Sequence, residues 1–446
     1  MSEERLRAAL REIVNAAPVR PDPAAAMTSA RRVTGPRQGW LIPTLAATAV
    51  ILTILALATV YRADTRFPVV GTDSGPSLPD RFPAFSFVQG TTDGRFGRAI
   101  ALYINGSGHE DFIFAQLILA SADDDRYRRL PVPDRGNNYV PRALLSPDGT
   151  KVAIGGDGSI TVLDLHTGTS TQYPADAAAD LTLHAFSADG RRLAYTTPPE
   201  HGAGGSLFIL DLSNGISARI SQRPVKIAAF SPDGGYVAFQ EEDIHAYDSL
   251  HAEIEICRFD GTSIRSITVP PRTQLAGAQA WSPDGTLLVA VATGPDRQDG
   301  PISYTGDRSY VFFDVTGTAQ TPAPIPANDL TPRAFGDPVL GWRTPTSMLV
   351  SSGDVDGTTS NLIIEVDITN GSHHILSRFS VGARDDLAVG DVQFATALIP
   401  EATIRHSTNP NRGSWPTWAI VTAIACLAPA VFGIVLWWTR RIKRRG

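Results

Sequence analysis

The side chains best suited to chemistry cluster at Glu241-Glu242-Asp243-Ile244-His245-Ala246-Tyr247-Asp248-Ser249-Leu250-His251-Ala252-Glu253. Imidazoles beside carboxylates are a ligand set for a divalent transition metal. Their spacing matches no standard site, and a solvated loop is the better reading. Asp354, Asp356, Thr358 and Glu365 fall at positions 1, 3, 5 and 12 of an EF-hand loop. Position 6 of that loop needs glycine for its sharp turn but holds Thr359, and Glu365 sits in a β-rich run, so an Asp-Gly turn is expected instead. His373 and His374 are neighbours in a predicted strand and point to opposite faces, so they cannot chelate together. The chain has no Gly-x-Ser-x-Gly elbow, P-loop, dinucleotide fingerprint or His-Glu-x-x-His. No catalytic residue, metal or cofactor is therefore expected, and binding is favoured over catalysis.

Charge is distributed in blocks. The whole chain carries −6. Residues 1–39 carry +3 and 439–446 carry +5, which leaves −14 for the stretch between. Hydrophobic walls separate the blocks, a pattern of membrane topology rather than nucleic-acid affinity. Residues 40–61 (Trp40 to Tyr61) and 417–438 (Thr417 to Trp438) contain one Arg or Lys-free apolar run each, long enough to span a bilayer core of roughly 30 Å. Trp40, Tyr61, Trp415, Trp418, Trp437 and Trp438 stand at their ends as interfacial anchors. Arg31, Arg32 and Arg37 precede the first segment, and Arg440 to Arg445 follow the second. The positive-inside rule then places both termini in the cytoplasm and the middle outside, as a two-pass protein of the cell membrane. The apolar run is long for a cleaved signal, so 40–61 reads as an uncleaved signal anchor despite Ala56-Leu57-Ala58. The only two cysteines, Cys257 and Cys426, form no disulfide framework.

The middle is repetitive. Ser146-Pro147-Asp148-Gly149, Ser187-Ala188-Asp189-Gly190, Ser231-Pro232-Asp233-Gly234 and Ser282-Pro283-Asp284-Gly285 start 41, 44 and 51 residues apart. An apolar stretch (RALL, LHAF, IAAF, AQAW) precedes each turn and a β-rich one (KVAI, RLAY, YVAF, LLVA) follows. A third strand then ends in Asp and Gly, and a fourth completes the unit. Proline presets φ at the second turn position and glycine takes the left-handed fourth, closing a tight hairpin. Four strands per roughly 45 residues, repeated, is the period of a propeller blade. A degenerate unit at 341–378 and a split one, with its first strand at 391–398 and the rest at 99–132, bring the count to six. The strand at 391–398 is expected to pair with 99–104 and seal the ring.

These turns resemble the WD40-like, TolB-type β-propeller repeat, carried best by Trp281-Ser282-Pro283-Asp284-Gly285 and Phe230-Ser231-Pro232-Asp233-Gly234. The layout also resembles membrane-anchored propellers of actinobacteria. The resemblance covers about 300 residues, and it implies binding or scaffolding more often than catalysis. The expected fold is all-β: a six-bladed β-propeller of four-stranded antiparallel blades, with one transmembrane α-helix on each side. Its parts are a cytoplasmic segment with an amphipathic helix (1–39), the first span (40–61), a tether (62–84), the propeller (85–398), a second tether (399–416), the second span (417–438) and a basic tail (439–446). Asn105 and Asn370 head Asn-Gly-Ser sequons that read as turns.

Connection lengths indicate a surface. The first-to-second and third-to-fourth turns are short, whereas 196–206, 240–253, 293–309 and 351–360, with the links 174–181, 270–277 and 322–338, vary. Both variable classes leave the same face of an antiparallel ring, and loops on a rigid scaffold are where sites are built. The expected ligand or partner contacts are Glu241, Glu242, Asp243, His245, Asp248, Asp296, Arg297, Asp299 and Tyr304, for a protein or cell-envelope partner and no nucleic acid. Tethers leaving the short-turn face would turn that face to the bilayer. Two alternatives stand beside a binding, sensing or scaffold role. One is a transmembrane signalling regulator, anti-sigma-like, acting through the helix at 2–17. The other is a hydrolase or lyase at the propeller mouth.

Overall fold

The computed structural model describes residues 75–85, 88–91, 95–107, 116–130, 143–156, 158–175, 181–197, 205–242, 250–294, 308–330, 338–352, 362–379 and 388–407, with 410, 411, 413 and 433. All but Gly433 belong to one compact unit, Pro68–Thr417. The amphipathic stretch 2–17, the apolar segment 40–61, the tail 439–446 and, Gly433 apart, the apolar segment 417–438 lie outside the described residues. Among the described residues no helix is long and apolar enough to cross a membrane.

Two short strands, β1 (Ser77–Pro79) and β2 (Arg81–Phe82), precede the ring. Then come β3 (Ala99–Ser107), β4 (Gln116–Ser121) and β5 (Tyr127–Arg129), followed by β6 (Ala143–Leu145), β7 (Lys151–Gly156), β8 (Ser159–Asp164) and β9 (Ser170–Pro174). The third group is β10 (Thr182–Phe186), β11 (Arg192–Thr196), β12 (Leu207–Asp211) and β13 (Ile216–Ser221), and the fourth is β14 (Val225–Phe230), β15 (Tyr236–Glu242), β16 (Leu250–Arg258) and β17 (Ser263–Thr268). The fifth is β18 (Thr273–Leu275), β19 (Leu287–Thr293), β20 (Arg308–Asp314) and β21 (Ile325–Pro326), with the one-turn helix α1 (Ala327–Leu330). The sixth is β22 (Val339–Thr344), β23 (Ser347–Ser352), β24 (Leu362–Asp367) and β25 (His373–Phe379). The chain ends its ring with β26 (Ala388–Phe394), a 3-10 turn at Ile399–Glu401 and β27 (Thr403–Arg405). Blade one has the order β26-β3-β4-β5, and blades two to five follow in sequence order; blade six carries β2 as a fifth strand, β2-β25-β24-β23-β22. This is the six-bladed all-β propeller expected from the repeats.

Each blade is covered on both sides by its neighbours, so its middle strands are buried without alternation. Leu193, Ala194 and Tyr195 of β11, and Leu288, Val289 and Ala290 of β19, are all fully buried. The hairpin turns repeat one hydrogen-bond set. Ser146 Oγ donates to Asp148 Oδ1 (2.6 Å) and accepts from the Lys151 N–H (2.9 Å). Ser187, Ser231 and Ser282 do the same with Asp189, Asp233 and Asp284. Gly149 is required twice over. Its φ is +70°, and a Cβ there would run into the carbonyl oxygen of Ala99, where the ring closes.

Closure follows the expected pairing. β26 lies antiparallel to β3, with Gly390 opposite Ile104, Gln393 opposite Leu102 and Phe394 opposite Ala101. The Gln393 amide ties this seam to blade two, donating to the Ala143 carbonyl (2.9 Å) and accepting from the Leu145 N–H (3.2 Å). The fully buried Gln240 makes the matching tie from blade four to blade five, through the Thr273 carbonyl (2.8 Å) and the Leu275 N–H (3.0 Å).

Four expectations are corrected. The tether reading of 62–84 and 399–416 fails over 75–84 and 399–407. There β1 pairs in parallel with β27, and β2 in parallel with β25. Leu78, Phe82, Phe85, Ile399 and Ala402 are buried in one cluster with Tyr103, Phe379 and Phe394. The prolines and polar residues of these segments hid the few apolar side chains that plug the seam between blades six and one. An orientation argued from free tethers loses its premise. In blade five the first strand is not AQAW but β18. The chain leaves it at Gly277 (φ +93°) and rejoins β19 through a bridge between Trp281 and Leu288. The third-to-fourth connection of blade five is long, and the segment expected as a link, 322–338, begins with a strand of only two residues. Pro322, Pro324 and Pro326 supply no ladder N–H, which limits its length. Asn105 heads no turn. It lies in β3, 3% exposed, and its amide exchanges both hydrogen bonds with the Phe85 backbone (3.0 and 2.8 Å).

Candidate functional site

Of the residues selected from sequence, Glu241 ends up in a structural tie. It accepts from Ser221 Oγ (3.0 Å) and pairs with Arg223 Nη1 (3.0 Å), fastening the end of blade three to β15. Glu242 is the last residue of β15, in register with Leu250. Asp243, His245, Asp248, Asp296, Arg297, Asp299 and Tyr304 lie outside the described residues, as do Asp354, Asp356 and Thr358. Glu365 is inside β24, as expected. It is held by the Ser347 hydroxyl, with Arg343 Nη1 at 3.7 Å and His374 Nε2 at 3.3 Å. Among the described residues no group of three or more His, Cys, Asp or Glu could hold a metal ion.

The cavities open instead where the short turns gather. First strands run toward this face and end there, so the residue before each Ser-x-Asp-Gly turn converges on the ring axis. Phe186, Phe230 and Trp281 take that place in blades three to five, and with Trp342 of blade six and Pro147 and Thr396 of blades two and one they surround an opening of about 200 Å³. The indole N–H groups point away to neighbouring backbone: Trp281 Nε1 donates to the Ala229 carbonyl (3.3 Å) and Trp342 Nε1 to the Gln279 carbonyl (2.9 Å). The mouth is therefore apolar on its inside, and Ala188, Ala397 and Pro400 rim it. A second cavity of about 540 Å³ runs outward between blades four and five, over Tyr236, Ile256 and Ile264 to Val315. Pro232, Trp281 and Pro283 line both, so the two are continuous.

The carboxylates around this face are used in building it. Burial opposes ionisation of Asp148, but the Ser146 hydroxyl and the Thr150 N–H outweigh it and hold the carboxyl below its ordinary range. Asp189 and Asp284 are lowered in the same way against the same desolvation. Asp164, Asp211 and Asp367, which end third strands, accept backbone and side-chain donors of the following turn and are also lowered. Such groups are ionised and already engaged, which suits them to capping turns rather than to shuttling protons. Sequence reasoning treated the aromatic before three of the four turns, Phe186, Phe230 and Trp281, as a strand end. Its recurrence in consecutive repeats was the available signal, because equivalent positions in a closed ring must face one another.

No protein-family model matches the sequence, and no curated protein matches it. Solved structures of low identity are similar to part of it. TolB from Acinetobacter baumannii is 18% identical over 68% of this chain and 68% of that one, with a TM-score of 0.44. Hydrazine synthase from Kuenenia stuttgartiensis is 13% identical over 68% and 80%, at 0.40. An oligogalacturonate lyase in complex with manganese is 19% identical over 66% and 77%, at 0.42. Likeness at this level says nothing about activity. Five four-stranded blades and one of five strands, the Ser-x-Asp-Gly hairpins and the sealed ring are consistent with the TolB-type propeller that the repeats resemble.

Proposed function

We propose that this chain is a membrane-anchored propeller, held outside the cytoplasm, that binds a protein or cell-envelope partner as a sensing or scaffold module and performs no chemistry itself. The observation that supports the reading is the axial mouth: aromatic and proline side chains from around the ring converge on it, and its polar neighbours are engaged in turn hydrogen bonds. A concave apolar opening on a rigid ring is a place for a partner's side chain. Membrane anchoring is supported by the two uncharged segments and the basic residues outside them.

The test is to plug the mouth. Ala188→Arg and Ala397→Arg place a long cation at exposed rim positions. Partners crosslinked by the full chain in its native membrane should be lost with either variant, while the melting temperature stays unchanged. Retention of the same partners by both variants would remove the mouth as the site. A hydrolytic or eliminating activity that survives both plugs would remove the non-catalytic reading.

A further inference from the structure

The four Ser-x-Asp-Gly turns are alike in hydrogen bonding but not in charge. In blades two and three the residue five places after the serine is Lys151 and Arg192, and Arg191 stands beside the latter. These cations favour the ionised forms of Asp148 and Asp189, as do the turn hydrogen bonds. In blades four and five the same place holds Tyr236 and Leu287. Burial opposes ionisation of Asp284, and hydrogen bonds from Ser282 and Thr286 outweigh it. Among the described residues, Asp233 and Asp284 are the two carboxylates lining the cleft of about 540 Å³ between these blades. Both are exposed, and among the described residues neither has an ion-pair partner. Among the described residues lining the cleft the one cation, Arg265, turns a guanidinium N–H to the Val315 carbonyl across the blades.

An anionic pair facing apolar walls has a definite complement. We propose that the cleft between blades four and five, continuous with the axial mouth, holds an extended segment of a partner polypeptide, with a Lys or Arg side chain between Asp233 and Asp284 and an apolar side chain against Trp281 and Tyr236. The walls favour polypeptide over a free cation. Ile264, 46% exposed, extends the apolar surface outward, and the shared residues Pro232, Trp281 and Pro283 make the groove long enough for several residues in line. Charge also favours it, since the stretch between the basic ends carries −14. The proposal rests on the binding reading above and adds to it the partner's chemistry.

The probe is a displayed library of random dodecapeptides, panned on the purified full chain. Enriched sequences should carry Lys or Arg next to an aromatic or large aliphatic residue. Asp233→Asn with Asp284→Asn keeps an acceptor for each serine and removes both charges. It should weaken the best peptide roughly tenfold, as two half-exposed ion pairs would. Asp148→Asn with Asp189→Asn makes the same change in two turns away from the cleft and should leave affinity within twofold. Enriched peptides without a basic residue, or equal losses in the two double variants, would overturn the proposal. Loss of binding with Ala397→Arg but not with Asp233→Asn/Asp284→Asn would overturn it and leave the axial mouth standing. No enrichment above background would overturn both.

Discussion

At the scale of single residues, the propeller is held by a few atoms used repeatedly. Each turn serine is buried, yet its hydroxyl both donates to the aspartate and accepts a backbone N–H, so no polar atom is left unpaired. The aspartates make stability depend on acid. A carboxyl whose folded pKa lies below its unfolded value stabilises the fold above the unfolded pKa, and that contribution is lost as pH falls through the folded one. Asp148, Asp189 and Asp284 are each lowered from 3.8. Unfolding midpoints should therefore drop as pH falls below about 4, and Asp148→Asn/Asp189→Asn/Asp284→Asn should flatten that drop. An unchanged acid profile in the triple variant would refute the linkage. Gly149 and Gly190 separate two costs. Both have positive φ, +70° and +66°, but only at Gly149 does an added Cβ meet the chain, at the Ala99 carbonyl. Gly190→Ala should cost about 1 kcal/mol, the left-handed penalty alone. Gly149→Ala should cost clearly more in denaturant melts, and equal losses would show that the approach to Ala99 does not constrain the ring.

At the scale of elements, the terminal strands behave as part of the core. Phe82 of β2 is fully buried, with its ring centroid 5.4 Å from Tyr103 and 5.3 Å from Phe379. Ser377 Oγ donates to the Pro79 carbonyl (2.7 Å), and Arg405 Nη1 donates to Ser77 Oγ (2.5 Å), so β1, β2, β25 and β27 are fastened to one another. A flexible tether would tolerate any small residue at 82. As a buried aromatic, Phe82→Ala should cost about 3–5 kcal/mol. Urea unfolding of the full chain checks this. A midpoint shift no larger than that of an exposed control, such as Ile216→Ala at a residue 65% exposed, would return the segment to tether status.

At the scale of the whole molecule, the inner edge of β3 is covered only while β26 stays paired with it. Truncation before Ala388 removes β26 and β27 together, exposes edges on both sides of the seam and uncovers Phe82. The loss should far exceed the ~1 kcal/mol of an ordinary substitution. A truncated chain that melts with the intact one would disprove ring closure by β26. Topology makes a separate prediction. A reporter fused after Gly446 should be cytoplasmic and one inserted near Asp73 should be outside, because Arg and Lys flank both apolar segments on their outer sides in sequence. Both reporters on one side would end the two-pass reading.

The order of strands, the number of blades and the pairing that closes the ring were legible in the sequence because they are local or periodic. A Ser-Pro-Asp-Gly turn makes its hairpin whatever surrounds it, and a unit that cannot bury its own faces must stack. The fate of Leu78, Phe82 and Phe85 was not legible, because a strand that adds to an edge or pairs in parallel far along the chain has no neighbour in sequence to announce it. Nor was the departure of the chain from β18 at Gly277, close to which the Trp342 indole of blade six donates to the Gln279 carbonyl. The binding face shows the same division. Loop length along the chain pointed to one face, and the residues chosen there, from Asp243 to Tyr304, were picked by composition alone. The cavities formed by Trp281, Phe230 and Trp342, and the facing pair Asp233 and Asp284, exist because closure brings repeat-equivalent positions to one axis and sets adjacent blades side by side. Spacing along the chain specifies each blade, whereas what lies between blades is decided by the ring.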